Sequence, residues 1–475
     1  MSLLSVIAST LSPLLAANTL TLTLYYEVSF TKIALLTGYH LLGVGLAGFL
    51  FVPSARVWGK RHLYLLGTVI IMISSIWGGA SGHNYKSLLA ARVFQGVGLA
   101  PFEALVNASV GDLYFVHERG KRMALSNLAL FGGAFFTPVI VGKMTNTLGW
   151  QWTFYFCAIF SGVLLPLVIF FVPETTFNRD MLPDPSGHGM HNGRHELKQN
   201  ANVASSNVQN SASSSLDDGP LDSEAHSSRQ PYRPTLAPFN GRHTEESYFK
   251  LLLRPFPLFL HPGILWACLI QGTMIGWTVL IGIVLAAIML GPPLFFNEVE
   301  TGYMYTGAFI GALLGFILAG LISDSSVKFL TKRNNGIYEP EFRLLLVIPQ
   351  LIFGCAGLYG FGITANNTFK YGWFWPDFFF ALEVMGMVLG AVASALYIVD
   401  AHRDIAVEAF TCLLVFKNIF SFGLTFSGYD WLVRSGIRRP FIAVASVQVC
   451  VCCLTVLMCE FLFPPSLPSL SSHST

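Results

Sequence analysis

Residues 89–109 read LAARVFQGVGLAPFEALVNAS, an apolar segment that nevertheless contains one cation and one anion. At 100° per residue, Arg92, Gln95, Glu103 and Asn107 fall within one arc of about 120° on a helix. A charge that faces lipid at the bilayer centre costs about 2.5–3.5 kcal/mol. We therefore expect the stripe to face a bundle interior or a water-filled cavity, as a substrate or proton pathway or as a structural pair held by neighbours.

Arg92 and Glu103 are too far apart to neutralise each other. Eleven positions separate them, which corresponds to about 16 Å along a helix axis. Each needs another partner, water or a ligand. We expect Glu103 to lack a fixed partner and to bind and release a proton, because burial disfavours a charged carboxylate. Arg92 would order the polar network or bind anionic groups.

The composition indicates a membrane protein. The chain has 475 residues, of which 53% are hydrophobic and 11% are charged, and its mean hydropathy is +0.58. Soluble domains carry about 25% charged residues, so the lipid bilayer is the expected partner. A net charge of +2 gives no reason to expect nucleic acid. The eight cysteines lie in hydrophobic runs, away from His and carboxylates at ligand spacing, so we expect neither a metal nor a cofactor.

Apolar runs of about 20 residues, long enough to cross a bilayer as helices, predict an all-α membrane protein with two six-helix bundles. The first bundle covers 1–173, the second covers 259–463, and a tail follows at 464–475. The linker at 174–258 is predicted to be cytoplasmic and disordered, because it is polar and Ser-rich. Its serines are either regulatory phosphosites or parts of a passive tether. The twelve spans fall near 3–25, 33–55, 63–82, 88–111, 123–143, 152–172, 262–290, 302–323, 343–363, 376–399, 406–427 and 440–462.

The distribution of Lys and Arg predicts cytoplasmic termini. Outside the central linker, eleven such residues lie on the side of the 2–3 loop and seven lie on the other side, and basic loops stay in the cytoplasm. The sequon Asn366-Asn367-Thr368 then lies outside, where Asn366 can be glycosylated. The sequon at Asn107 falls within a span and is expected to be unused.

Further polar residues within the second half are expected at the same central cavity. Glu383 shares a helix face with several glycines, and Trp277 serves either as a ligand platform or as packing. With the stripe of the fourth span, these residues form the candidate substrate or proton pathway. The second-half members are Gln271, Trp277, Glu383, Lys417 and Asn418. Glycines at 307, 311 and 315 predict a close helix contact, and Pro138 is predicted to bend the fifth span.

Several motifs in order give the chain a resemblance to the major facilitator superfamily over nearly its whole length. The sequence RVFQGVG is similar to that superfamily's fourth-span motif, and PETTFNRD follows the sixth span as is typical there. The antiporter motif of the fifth span survives as Gly133, Thr137, Pro138 and Gly142. The usual acid of the 2–3 loop is absent, with Arg56 in its region. The gating-loop motifs match at Gly48, Gly59, Lys60, Arg61, Gly320 and Asp324.

VHERGKRMAL, KRNNGIYEPEFRL and FKNIFSFG look like the fungal branch related to twelve-span drug:proton antiporters. This resemblance implies a secondary active transporter that exports a small organic compound such as a drug, toxin or secondary metabolite. The alternative is proton-coupled uptake of a cationic solute such as a polyamine. A non-transporting sensor or a membrane enzyme is disfavoured, and no catalytic residue is expected.

Proton flow is the expected energy source, since the sequence contains no Walker A motif. Glu103 is the first candidate for the proton carrier and Glu383 is the second. We expect a monomer in the plasma membrane, with the vacuolar membrane as the alternative.

Overall fold

The computed structural model describes residues 2–113, 116–175, 239, 241–242, 244, 246–402 and 405–461. Throughout these residues the regular secondary structure is helical. A short 3₁₀ helix at Pro340–Leu346 precedes α13. The α-helices are α1 (Ser2–Leu11), α2 (Thr19–Tyr26), α3 (Phe30–Trp58), α4 (Arg61–Gly79), α5 (Tyr85–Leu113), α6 (Val116–Leu148), α7 (Gln151–Phe171), α8 (Tyr248–Leu253), α9 (Pro255–Leu258), α10 (Pro262–Leu290), α11 (Glu298–Tyr303), α12 (Tyr305–Arg333), α13 (Val347–Ala365), α14 (Thr368–Tyr371), α15 (Phe374–Ala401), α16 (Ala406–Ser435) and α17 (Arg438–Phe461).

Eleven helical segments of the described chain are long and apolar enough to cross a membrane. Each overlaps one predicted span, from the second to the twelfth. The predicted all-α membrane fold is therefore confirmed, and the observed helices extend several residues past most predicted boundaries. The two halves meet where α3 packs against α16 and where α6 packs against α11 and α12.

The first span differs from the prediction, because it is not one helix over 3–25. It is divided into α1 and α2 by a turn at residues 12–18. Pro13 explains the break: a proline has no backbone N–H to donate and disfavours helical geometry in the residue before it. The turn closes through backbone hydrogen bonds from Ala16 to Pro13 (2.9 Å) and from Asn18 to Leu15 (3.1 Å).

The predicted linker is partly helical, since α8 and α9 lie within the last eleven residues of 174–258. Tyr248 donates a hydrogen bond from its hydroxyl to the carbonyl of Leu50 (3.0 Å) and stacks on Trp58 at 5.5 Å. This end of the linker therefore packs on the first half. The disorder predicted for its serine-rich part, and the tail at 464–475, fall outside the described residues.

Glycines allow close helix contacts, as their spacing predicts. Gly43 in α3 lies so near α5 that a Cβ would stand 2.5 Å from the carbonyl oxygen of Val93. Gly311 in α12 lies equally near Ala381 in α15. Helix α6 continues without interruption through Pro138. A Cβ on Gly302 would be 2.6 Å from the Pro138 carbonyl, so the fifth-span motif forms a contact between the halves.

Candidate functional site

A cavity of about 200 Å³ lies between the two halves, and both halves contribute to its wall. The turn between α1 and α2 forms part of the wall, together with α3, α5, α6, α10, α12, α15 and α16. Most of the lining is apolar, and its aromatic members are Phe30, Phe131, Phe135, Tyr305 and Phe380. Charged and polar lining side chains include Ser12, Glu103, Thr278, Lys417 and Asn418.

Glu103 and Lys417 form an ion pair across the cavity wall. Glu103 belongs to α5 in the first half and Lys417 to α16 in the second. The two side chains keep only 18% and 14% of their surface exposed, so each charge depends on the other for compensation. The expectation that Glu103 lacks a fixed partner was therefore wrong. The fourth span alone could not reveal a partner that lies 314 positions further along the chain.

Arg92 stabilises the turn that divides the first span into α1 and α2. Its side chain is fully buried and donates to the carbonyl of Leu11 (3.0 Å) and, at 3.5 Å, to that of Ser12. These carbonyls lie where a helix end leaves acceptors without intrahelical donors. Arg92 also donates to Gln95 (2.6 Å), and Gln95 donates to Ser75 (2.9 Å). Neither Arg92 nor Gln95 lines the cavity; together they fix part of its wall.

His40, for which the sequence pattern predicted no role, completes this network. The imidazole is fully buried. Its Nδ1 is 3.3 Å from the Arg92 carbonyl, and its Nε2 is 3.5 Å from the hydroxyl of Ser12. A single histidine in the apolar run LTGYHLLGVG was the only available signal. His40 links the lining residue Ser12 to α5.

Glu383 lies behind the cavity wall in the second half. It is 0% exposed, and its Oε1 is 2.8 Å from the hydroxyl of Thr278, which does line the cavity. Its Oε2 has no hydrogen-bond partner among the described residues. Glu383 is therefore separated from the cavity by one side chain.

The other predicted pathway residues have different positions. Asn418 lines the cavity and donates to the Leu414 carbonyl (2.9 Å). Trp277 packs edge-on against Phe420 at 5.2 Å and donates to Gln448 at 3.1 Å, so it is a packing residue. Gln271 accepts a hydrogen bond from Ser394 (3.1 Å) away from the cavity. The Asn107 side chain falls outside the described part of the structure.

The loop motif after α3 is held to the end of α7. Gly59 has φ +89°, a left-handed conformation that favours glycine, and a Cβ there would overlap the Glu174 carboxylate. Glu174 belongs to the PETT sequence and accepts from the backbone N–H groups of Lys60 (3.0 Å) and Arg61 (3.1 Å). Arg61 also donates to the Ile169 carbonyl (2.8 Å). These motif residues therefore join parts of one half.

At the same end, Arg56 connects the two halves. It forms an ion pair with Glu408 of α16, and Arg254, which follows α8, lies 3.2 Å from the same carboxylate. Arg56 lies near the position where the loop motif usually has an acid, and its side chain contacts the opposite half. Gly48 on α3 packs against Leu414 of α16.

The corresponding loop of the second half uses other residues than predicted. Arg343 pairs with Asp400 at 3.0 Å and donates to Ser323 at 2.5 Å. Tyr338 donates its hydroxyl to Asp400; burial raises the pKa of Tyr338, and this hydrogen bond raises it further. Asp324 is exposed, and a Cβ on Gly320 would meet open space. The acid that forms the ion pair is therefore Asp400, at the end of α15.

The opposite end of the cavity is also bridged. Thr21 of α2 donates to Glu298 of α11 (2.7 Å). Thr31 of α3 donates to Asp430 of α16 (2.7 Å), beside Phe30, which stacks on a tyrosine of α16 at 5.6 Å. Contacts between the halves therefore occur at both ends of the cavity.

Two helical halves enclose a cavity, and eleven of their described segments can cross a membrane, which is the arrangement of a membrane transporter. The chain belongs to the Major Facilitator Superfamily, whose sequence profile matches residues 1–405. Protein HOL1 of Saccharomyces cerevisiae is 26% identical, over 89% of this chain and 78% of that protein. The MFS transporter cpaT of Aspergillus oryzae is 27% identical, over 87% and 75% respectively. These comparisons confirm the predicted superfamily.

A solved structure has the same fold. The proton:xylose symporter XylE bound to 6-bromo-6-deoxy-D-glucose aligns with a TM-score of 0.62, over 97% of this chain and 94% of that chain. The identity is 14%, so this likeness concerns the fold alone.

Proposed function

We propose that this protein exports a small organic compound by alternating access, driven by proton movement. The observation that carries the proposal is the Glu103–Lys417 ion pair, which connects the two halves at the wall of the cavity. In transporters built from two halves, one half rocks against the other around a central site. Rocking would pull this ion pair apart, so the free energy of the pair enters the transport cycle.

Protonation of Glu103 offers a way to release the halves. A proton on the carboxylate removes the charge that compensates the ammonium of Lys417. The halves then lose their electrostatic link at the cavity, and Lys417 becomes available to water or substrate. Proton binding would therefore favour separation at this point, and deprotonation would favour its closure.

The apolar lining of the cavity favours a substrate with a largely apolar surface. Five aromatic side chains and many aliphatic ones line it, and its ion pair carries no net charge. Pockets of this kind bind ligands mainly through apolar contact and use a few polar groups for orientation. The resemblance of the fifth span to an antiporter motif favours export over uptake. We propose that the protein functions in the plasma membrane and that it functions as a monomer.

Uptake of a cationic solute is the second candidate, and the carboxylate of Glu103 is the observation that favours it. An ammonium group of the solute would replace Lys417 as the partner of Glu103. A compound with several amines would find few other acceptors on the apolar wall.

Transport in sealed vesicles tests the proposal. A panel of labelled apolar compounds and polyamines is followed with and without an imposed pH gradient. Export predicts gradient-driven accumulation in inside-out vesicles. Glu103→Gln should abolish that accumulation and leave counterflow exchange partly intact, at matched protein levels. Accumulation by this variant at the wild-type rate would exclude Glu103 as the coupling residue, and accumulation of polyamines alone in right-side-out vesicles would favour the second candidate.

A further inference from the structure

We propose that Glu383 is a second proton-binding site, which carries a proton in this state and exchanges it with the cavity through the hydroxyl of Thr278. The use of this proton in transport rests on the proposed function. Its presence on Glu383 rests on the surroundings of the carboxyl group alone.

The carboxyl group of Glu383 is buried. Glu383 lies in α15 with no exposed surface, between α10 and α13. On the α13 side, Gly357 is so close that a Cβ on it would overlap the backbone of Glu383. The carboxyl group therefore has one direction open toward the cavity, through Thr278 on α10.

The helices around Glu383 provide no compensating charge near its carboxyl group in the described part of the chain. Helices α10 and α13 contain no Asp, Glu, Lys, Arg or His at all. On α12 the charged residues lie only in the last ten positions, at its far end. On α15 itself the other acids are Asp377 and Asp400, near its two ends. On α16 the midspan cation is Lys417, which is paired with Glu103.

An ionised Glu383 would therefore be a buried anion with one hydrogen bond and no counterion in the described structure. A charge in such a place is strongly disfavoured, and the group takes up a proton instead. The neutral carboxylic acid needs only one acceptor for its own hydrogen. Thr278 supplies that acceptor.

The hydroxyl of Thr278 suits both protonation states. Its Oγ1 is 2.8 Å from Oε1 of Glu383 and 3.0 Å from the carbonyl of Met274. A hydroxyl has one hydrogen to donate and can also accept. When Glu383 is protonated, its O–H donates to Thr278, which in turn donates to Met274. When Glu383 is ionised, Thr278 turns its hydrogen to the carboxylate.

The same geometry allows a balanced proton transfer. Thr278 Oγ1 receives the proton of Glu383 and passes its own hydrogen to water in the cavity, leaving a carboxylate and a hydronium ion. The reverse order reloads the site. Because Thr278 lines the cavity and Glu383 does not, replacing the threonine should slow the exchange without removing the acid.

Infrared difference spectroscopy on the full-length protein in lipid nanodiscs tests the occupancy directly. The carbonyl stretch of a protonated carboxylic acid should be present at neutral pH and should disappear in Glu383→Gln, which keeps the side-chain shape. It should remain in Glu103→Gln. If the band persists unchanged in Glu383→Gln, or is absent from the wild-type protein at neutral pH, the proposal is wrong, whatever the transport assays show.

A second variant covers the case in which Glu383→Gln does not fold. Thr278→Val keeps the shape of the side chain and removes the hydroxyl, so the acid band should shift. The exchange of the acid hydrogen for deuterium should slow relative to the wild-type protein, because the hydroxyl that passes the proton to cavity water is gone. The matched control is Thr364→Val on α13, which removes a buried hydroxyl that donates to Gly360 (2.7 Å) away from the cavity. Equal band positions and exchange rates in the two valine variants would overturn the role of Thr278.

The transport readout separates this site from Glu103. If both acids serve the proton cycle, Glu383→Gln should change the pH profile of transport, and the pH dependence that Glu103 contributes should remain. If the infrared band identifies Glu383 but the variant keeps the wild-type pH profile, the proton-binding site stands and its use in transport is wrong.

Discussion

Glu103 of the first half and Lys417 of the second half form an ion pair at the wall of the central cavity. The two opposite charges therefore lie on helices from different halves. Neither helix contains a partner for its own charge at this point. This ion pair stabilises the arrangement in which the two halves are in contact at the cavity, and its loss would show that they have separated there. The consequences can be measured by changing one charge, the other, or both.

The single variants Glu103→Gln and Lys417→Met should lower stability, and the exchange Glu103→Lys with Lys417→Glu should recover most of the loss. Breaking a buried ion pair costs about 3–5 kcal/mol, and the partial exposure of these side chains, 18% and 14%, places the expected loss at the lower end. Thermal unfolding in detergent measures these changes. An exchanged pair as unstable as the worse single variant would contradict the pairing.

Arg92→Met should destabilise the protein more than any exposed arginine variant does. Its guanidinium donates to Leu11, Ser12 and Gln95, and a hydrogen bond to a charged group contributes about 1.5–3 kcal/mol. The matched control is Arg438→Met at an exposed helix start, with an expected change within about 0.5 kcal/mol. The loss should be smaller in a Pro13→Ala background, where α1 can extend and fewer carbonyls need Arg92. If Arg92→Met lowers stability equally in both backgrounds, Arg92 does not stabilise the break at Pro13.

The fold could be predicted from the sequence because long apolar runs leave few alternatives in a bilayer. Eleven of the twelve predicted spans required only length and hydropathy. The break at Pro13 was missed because residues around it, such as Leu11 and Leu14, are as apolar as those of a continuous span. A proline inside a span also does not always interrupt it: α6 continues through Pro138.

The candidate site was predicted less completely. The helical arc predicted that Arg92 and Glu103 share one functional face. In the structure Glu103 lines the cavity, whereas Arg92 lies behind the lining residues and stabilises them. Helical periodicity gives the angle of a residue about its own helix and contains no information on which neighbour stands there. The partners Leu11 and Lys417 come from distant parts of the chain, so only the packed structure could identify them.

Asn366→Gln should remove a glycosidase-sensitive shift in gel mobility, and Asn107→Gln should not. Asn366 is exposed where α13 ends, and its Oδ1 accepts from the backbone N–H of Arg438 (3.3 Å), so its amide nitrogen is not needed for that bond. Thr368→Ala keeps Asn366 and destroys the sequon, so it should have the same effect. The measurement is made on protein expressed in yeast membranes. A shift that survives Asn366→Gln and vanishes with Asn107→Gln would reverse the predicted topology.

Glu408→Gln and Glu298→Gln should open opposite ends of the cavity. Glu408 joins Arg56 and Arg254 at the end predicted to be cytoplasmic, and Glu298 accepts from Thr21 at the other end. Glutamine keeps an acceptor oxygen but removes the charge, which weakens the contact at one closed end by about 1 kcal/mol and corresponds to about a fivefold change in the open population. A single cysteine at Thr37, which lines the cavity, reports on access after the native cysteines are replaced. Labelling with a membrane-impermeant maleimide should increase from the cytoplasmic side in Glu408→Gln and from the outer side in Glu298→Gln. An increase on the same side in both variants would show that these carboxylates do not close opposite ends.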